Sequence, residues 1–317
     1  RRGQGRALNF EAAVAGGIPV IKTLRESLLG NTIERVYGIL NGTCNYILTR
    51  MAEEGISFEE CLADAQRLGY AEADPTFDVD GFDTAHKLSL LTSLAFGTLV
   101  DTKGISIEGI RSIKPVDLKM AAELGYRVKL LGVAQRTADG VEQRVHPTFV
   151  PKDSAIAQVM GVTNAVTIDA DGIAPITLVG PGAGGMATAS AVVADIADIA
   201  RGVRAAPFGR PQAKLAATKK APMQRHEGGY YIRMIAVDKP GTAATIAKRL
   251  AQHNISMESI VQRHSAPAGG AEKPQGPVPV ILITYATTED AVRKALAAVQ
   301  RDKVISGRPQ LIRIEKN

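Results

Sequence analysis

The period of the apolar positions changes several times over the first 200 residues, and each change marks an element. Pro19 opens a helical stretch in which Leu24 and Leu28 continue the face of Val20 and Ile21, and Gly30 supplies its stop. Residues 32–40 are dense in β-formers and predict a strand. Ser57-x-x-Glu60 is a capping box, followed by Leu62, Ala65 and Leu68 at helical spacing, with Gly69 closing the helix. Residues 82–96 are apolar nearly all round (Leu88, Leu90, Leu91, Leu94), which predicts a buried helix. Strands are predicted over 127–135, 141–150, 164–168 and 173–179, with Asp139-Gly140 and Asp171-Gly172 as tight turns between consecutive pairs. Residues 187–199 predict a helix of small side chains.

From residue 228 the rhythm is different. The pattern predicts strand 230–237, a turn at Asp238-Lys239-Pro240-Gly241, helix 242–253 and strand 255–263. A Gly/Pro-rich loop (266–277), strand 278–285, helix 288–300 and strand 308–314 complete it. The order βαββαβ is a ferredoxin-like unit. With Asn254-Ile255-Ser256-Met257 entering its second strand, this unit resembles an ACT regulatory domain, a type that commonly binds amino acids at paired interfaces.

Composition narrows the class. The chain has 317 residues, 45% of them hydrophobic and 22% charged, which is a globular composition with room for about two domains. No run approaches the ~20 apolar residues of a membrane-spanning helix. Two cysteines, Cys44 and Cys61, fit a reducing compartment, and the polar opening with Glu11 behind it does not read as a signal peptide. The expected location is cytoplasmic. Much of the net charge of +6 gathers in Arg201, Arg204, Arg210, Lys214, Lys219, Lys220 and Arg225, interspersed with Pro207, Pro211 and Pro222. That stretch reads as an irregular, solvated linker rather than a nucleic-acid patch, and the absence of Trp with only 4% aromatics removes the usual base-stacking platforms.

Chemistry concentrates between residues 65 and 87. Glu72, Asp74, Asp78, Asp80 and Asp83 fall within twelve residues, punctuated by Gly69, Pro75 and Gly81. A solvated acidic loop, a divalent-metal loop and helix N-capping all fit such a cluster, although an EF-hand does not, because the spacing and closing Glu are wrong. Asp83 and Lys87 are i, i+4 on a helix too apolar to be exposed, and a desolvated ion pair there needs further partners. A lysine among carboxylates suits polar-substrate binding and proton transfer.

The run Ala65-x-x-x-Gly69-Tyr70-Ala71-x-x-Asp74-Pro75-x-x-Asp78-Val79-x-Gly81-x-Asp83-x-x-x-Lys87 resembles the signature of homoserine dehydrogenases without a departure. The similarity continues through residues 9–20, 38–46 and 180–185, and a C-terminal ACT domain is the family's common layout. The resemblance implies an α/β (α+β) fold: a remnant of a Rossmann-type nucleotide domain and a mixed-sheet substrate and dimerisation domain over 1–205, with 176–205 returning to the nucleotide domain. The basic linker is then 206–227 and the ACT domain 228–317.

The resemblance also implies an NAD(P)-dependent oxidoreductase interconverting L-homoserine and L-aspartate 4-semialdehyde, in threonine and methionine biosynthesis. Lys87 would carry the proton, Glu72, Asp83 and Asp78 would bind substrate, and Gly42 and Thr43 would line the same pocket. Gly69, Gly182 and Gly184 would approach the cofactor. Glu11, Val14, Gly16 and Ile18 match a site for Na or K formed mainly by main-chain carbonyls, although Gly16-Gly17 by itself reads as a plain loop. Gly180–Gly185 fits G-x-G-x-x-G, but no acid ending a second strand follows it, so it is not the primary dinucleotide fingerprint. The family's own fingerprint and a second active-site lysine would precede Arg1. A missing nucleotide half-domain and a largely inactive isolated chain are therefore expected. Partners implied are the substrate, a homodimer or homotetramer, and an effector, threonine, at the ACT domain. The alternative is a non-catalytic, amino-acid-sensing ACT regulator.

Overall fold

The computed structural model describes residues 7–262 and 277–315, so the polar opening and most of the Gly/Pro-rich loop lie outside the described residues. The chain folds as two compact units, one of residues 1–147 and 152–221 and the other of 148–151 and 222–317.

In the first unit α1 (Val20–Lys22) runs into one π-helical turn, Thr23–Ser27, and is followed by β1 (Ile33–Ile39). Next comes α2 (Gly42–Glu54), which the apolar pattern does not predict. Its N-cap is Asn41, whose side chain accepts from Cys44 N–H, and its stop is the left-handed Gly55. Buried Thr43, Asn45 and Thr49 interrupt its apolar stripe, which is why the periodicity is faint. The capping box of α3 (Phe58–Arg67) is present with both of its hydrogen bonds. The acidic stretch then forms the short α4 (Thr76–Val79) before α5 (Phe82–Phe96), which has the predicted bounds and is buried along most of its length. Three of its buried hydroxyls are satisfied locally, Ser89 donating to the His86 carbonyl, Thr92 to that of Leu88 and Ser93 to that of Thr98, while the Thr84 hydroxyl has no partner among the described residues.

β2 (Ser106–Ile107), α6 (Pro115–Glu123), β3 (Tyr126–Thr137), β4 (Gly140–Pro151), β5 (Thr163–Ala170), β6 (Ile176–Pro181) and α7 (Gly185–Ala200) follow. Within this unit the strands lie in the order β6-β5-β1-β3-β4, with β2 parallel to β4, so the sheet is mixed. β6 begins at Ile176 rather than at 173, because its antiparallel ladder with β5 ends at Ile168↔Ile176. Helices α2, α5 and α6 pack on β3.

The basic stretch is irregular, as expected, but residues 216–221 are not a free solvated linker. Ala216 exchanges backbone hydrogen bonds with Gly97 and Leu99, and Lys219 and Ala221 do so with Val141. Lys220 pairs with Asp101 at 2.8 Å. Backbone pairing, invisible to a reading of charge, holds this strap in place.

In the second unit β7 (Glu227–Ala236), α8 (Thr242–Gln252), β8 (Met257–Gln262), β9 (Val278–Thr284), β10 (Thr287–Thr288), α9 (Glu289–Arg301) and β11 (Ile305–Ile314) give the predicted βαββαβ order plus a two-residue strand. The sheet order is β11-β7-β9-β8, with residues 148–149 parallel to β11. Alternate residues of β7 (Tyr230, Ile232, Met234) meet Ile246 and Leu250 of α8 and Val292, Leu296 and Val299 of α9 in one core.

Candidate active site

The site begins where β1 ends. Two residues past the strand, the Asn41 side chain does three things: its Oδ1 caps α2 at Cys44 N–H (2.8 Å), and its Nδ2 donates to Asp78 Oδ1 (2.8 Å) and Asp83 Oδ2 (2.9 Å). The second partner of Asp83 Oδ2 is Lys87, whose Nζ donates to it at 2.6 Å and to the Leu40 carbonyl at 3.0 Å. The pair is held by further hydrogen bonds, as its desolvation requires. It is also reachable, since the Lys87 and Asp83 side chains keep 22% and 18% of their exposure.

The structure sorts the five acids. Asp74 accepts from Thr76 N–H at the start of α4, and Asp80 pairs with Arg111 at 2.6 Å. Asp78 and Asp83 converge on Asn41, and Glu72 stays exposed. Burial pushes the Asp78 carboxyl up, opposed by the Asn41 hydrogen bond and reinforced by the charge of Asp83. Asp83 is no helix cap, because Gly81 holds that place in a left-handed conformation (φ 88°). Thr43 Oγ1 donates to the Tyr70 carbonyl at 2.5 Å, which joins the start of α2 to the turn beyond Gly69. Gly69 itself is left-handed at φ 75° with open space where a Cβ would be. Among the described residues no group of His, Cys, Asp and Glu is arranged to hold a metal ion.

Of the other predicted residues, Gly16, Ile18, Gly42 and Gly182 lie close to the ends of β5 and β6. A side chain at Gly42 would meet the Val162 carbonyl at 2.6 Å, and one at Gly182 would run into the Asn164 carboxamide. Gly17 N–H donates to the Pro181 carbonyl, and a Cβ at Gly16 would come within 2.9 Å of the Gly182 carbonyl. Gly184 has φ 108°, and open space lies above it and Gly185, at the start of the sixteen-residue α7. Val14 and Ile18 are buried, and Ala15 between them turns the chain with φ 51°. The Glu11 carboxylate is committed to Ile21 and Lys22 N–H, both at 2.9 Å, while burial pushes its carboxyl up. Sequence reasoning missed Asn41, whose signal was an N-cap residue ahead of an unrecognised helix.

Comparison with known proteins identifies the family. Residues 19–197 match the family described as Homoserine dehydrogenase, and residues 230–301 match the ACT domain. The homoserine dehydrogenase of Neisseria gonorrhoeae is 44% identical over 98% of this chain and 72% of its own length. That of Pseudomonas aeruginosa is 45% identical over 99% and 73%. The crystal structure of a homoserine dehydrogenase from Thiobacillus denitrificans superimposes with a TM-score of 0.89 at 43% identity, covering 97% of this chain and 70% of that one. A hyperthermophilic archaeal homoserine dehydrogenase in complex with NADPH matches with a TM-score of 0.52 at 31% identity, covering 61% and 55%. The matches to the bacterial relatives run over almost the whole chain and about seven tenths of their length, and they do not confirm the missing nucleotide half expected above. Among the described residues no helix is long and apolar enough to cross a membrane. The chain belongs to the homoserine dehydrogenase family of oxidoreductases and carries an ACT domain.

Proposed function

We propose that the chain interconverts L-homoserine and L-aspartate 4-semialdehyde with NADP or NAD, and that Lys87 exchanges the proton. The observation that carries the reading is the convergence of Asn41, Asp78, Asp83 and Lys87 at the β1–α2 junction. Two carboxylates beside one ammonium suit the ammonium end of an amino-acid substrate, with exposed Glu72 at their rim and Gly42 and Thr43 lining the pocket. The nicotinamide cofactor supplies or accepts hydride when bound. Open backbone at Gly184 and Gly185, before the N-terminus of α7, suits its approach, with Gly69 and Gly182 as further backbone contacts. In semialdehyde reduction the Lys87 ammonium would give its proton to the carbonyl oxygen of the substrate. In homoserine oxidation the uncharged amine takes the hydroxyl proton.

Glu11, Val14, Gly16 and Ile18 would hold Na or K through main-chain carbonyls. The left-handed turn at Ala15 and the bond from Gly17 N–H to the Pro181 carbonyl support a role in stiffening the Gly-rich loop. The ACT domain would take an amino acid, threonine by pathway logic, at the turn before α8, where Gly241 (φ 90°) leaves open space. Pairing of ACT domains would give a homodimer or homotetramer. The two free thiols, both buried, fit the reducing cytoplasm.

The test is turnover of L-homoserine by the purified enzyme with NADP and with NAD, repeated with Asp83→Asn. Removing the countercharge of Lys87 should cut kcat/KM for homoserine by ~10-fold or more. Turnover unchanged by Asp83→Asn would overturn the reading.

A further inference from the structure

The choice of asparagine at position 41 is more than a helix cap requires. Asp, Ser and Thr cap helices as well or nearly as well as Asn. Among these only Asn carries an acceptor and two donors on one planar group. Here all three are used: the acceptor on Cys44 N–H and one donor hydrogen each on Asp78 and Asp83. The amide orientation is fixed by these partners, because the flipped group would turn its oxygen on two carboxylates and its NH₂ on an N–H.

From this geometry we infer that Asn41 is a positioning residue for the dehydrogenase reaction, clamping Asp78 and Asp83 at a set separation and thereby aiming Lys87. Asp78 comes from α4 and Asp83 from α5, joined by Asp80 and Gly81. Their like charges would drive the carboxylates apart or make them share a proton. The Asn41 NH₂ bridges them instead, and the Asp83 oxygen it holds is the one that receives Lys87 Nζ. The preceding residue takes the other Lys87 hydrogen bond on its carbonyl. Two consecutive residues of the β1–α2 junction therefore hold both the lysine and its counterion. The cap ties the same side chain to the start of α2, where Gly42 and Thr43 stand. A substrate bound between α2 and the carboxylates would thus meet a site whose parts move together.

The inference rests on the reading of the preceding section, and the experiment separates the two. Asn41→Asp and Asn41→Ser both keep a good cap; the first sets a third carboxylate against the other two, the second is neutral and too short to reach them. Kinetics with L-homoserine and with the cofactor, and thermal unfolding, are measured for both beside Lys87→Ala. Asn41→Ser should lower kcat/KM for homoserine by ~10- to 100-fold, the loss of hydrogen bonds to charged groups, and Asn41→Asp by more. Cofactor KM should stay within about threefold in both, and the unfolding midpoint of Asn41→Ser should stay within a few degrees, as expected where the cap survives. If Asn41→Asp does not fold, the neutral variant carries the test. Homoserine kcat/KM within about threefold of the parent in Asn41→Ser, with Lys87→Ala crippled, would overturn the role of Asn41 alone. If Lys87→Ala too were unimpaired, the site reading would fall, and this inference with it.

Discussion

Two lysines, one bonded just before α2 and one bonded to α2 itself, are held in opposite ways. Lys87, on α5, faces a carboxylate and a carbonyl and keeps a fifth of its side chain open to solvent. Lys129, on β3, is 2% exposed and donates only to neutral atoms: Asn45 Oδ1 at 3.0 Å, the Val159 carbonyl at 2.5 Å and the Met160 sulfur at 3.6 Å. Burial, helped by the charge of Arg127, pushes Lys129 down to about 8. Asn45 spends its NH₂ on the carbonyls of Val159, Gly161 and Thr163, so the Lys129–Asn45 hub fastens the 159–163 segment to α2. The difference teaches what a perturbed lysine signifies. Burial among dipoles shifts a lysine without giving it access to anything that reacts. A countercharge, a second acceptor and access to solvent give a lysine that can trade a proton with a ligand.

The largest effect that could break this contrast belongs to Lys87. Lys87→Ala should depress kcat by ~10²–10⁴, the range of a lost general acid–base group, with cofactor KM largely kept. Lys129 should instead reveal itself in stability. Its folded pKa lies below its unfolded value, so the folded protein binds fewer protons between about pH 8 and pH 10.5. Its contribution to stability therefore rises with pH across that window, by an amount on the order of 3 kcal/mol, and is at its lowest below pH 8. Lys129→Met should remove that slope when unfolding is followed by denaturant titration from pH 7 to pH 10; an unchanged slope would show Lys129 to be charged and uncompensated at no cost. Glu72→Gln, if exposed Glu72 binds substrate as proposed, should raise homoserine KM by ~10-fold and leave cofactor KM nearly constant. The smallest effect is a control outside both regions. Ser57→Ala removes the capping box of α3 and should cost ~1 kcal/mol, a few degrees of melting temperature at most, with kinetics untouched.

What the sequence made legible follows the same divide. α5 was readable to its last residue because its apolar surface is continuous and left-handed glycines, Gly81 and Gly97, close both ends. The Asp83–Lys87 pair was readable because i, i+4 spacing on a helix is a local rule, and the structure makes that bond at 2.6 Å. Asn41 was not, because its partners come from α2, α4 and α5 and only tertiary folding brings them together. Lys129 was equally silent: a lysine in a β-rich segment reads as an outward-facing residue, and its neutral partners carry no charge pattern to betray them. The Gly-rich loop was found as a motif, yet its reason for glycine at 182, the Asn164 side chain lying against it, belongs to the neighbouring strand. Charge counting saw the basic stretch but not the backbone bonds that strap residues 216–221 down.

The central claim is that the Lys87 amine itself carries the proton, and chemical rescue tests it most directly. Lys87→Ala leaves room beside Asp83 for a small primary amine, so methylammonium added to that variant should restore homoserine turnover in a saturable way. The recovered rate should track the fraction of uncharged amine as pH rises, while the parent enzyme should gain nothing. A variant that needs no amine because it turns over at the parental rate, or one that no amine of suitable size improves, would contradict the assignment.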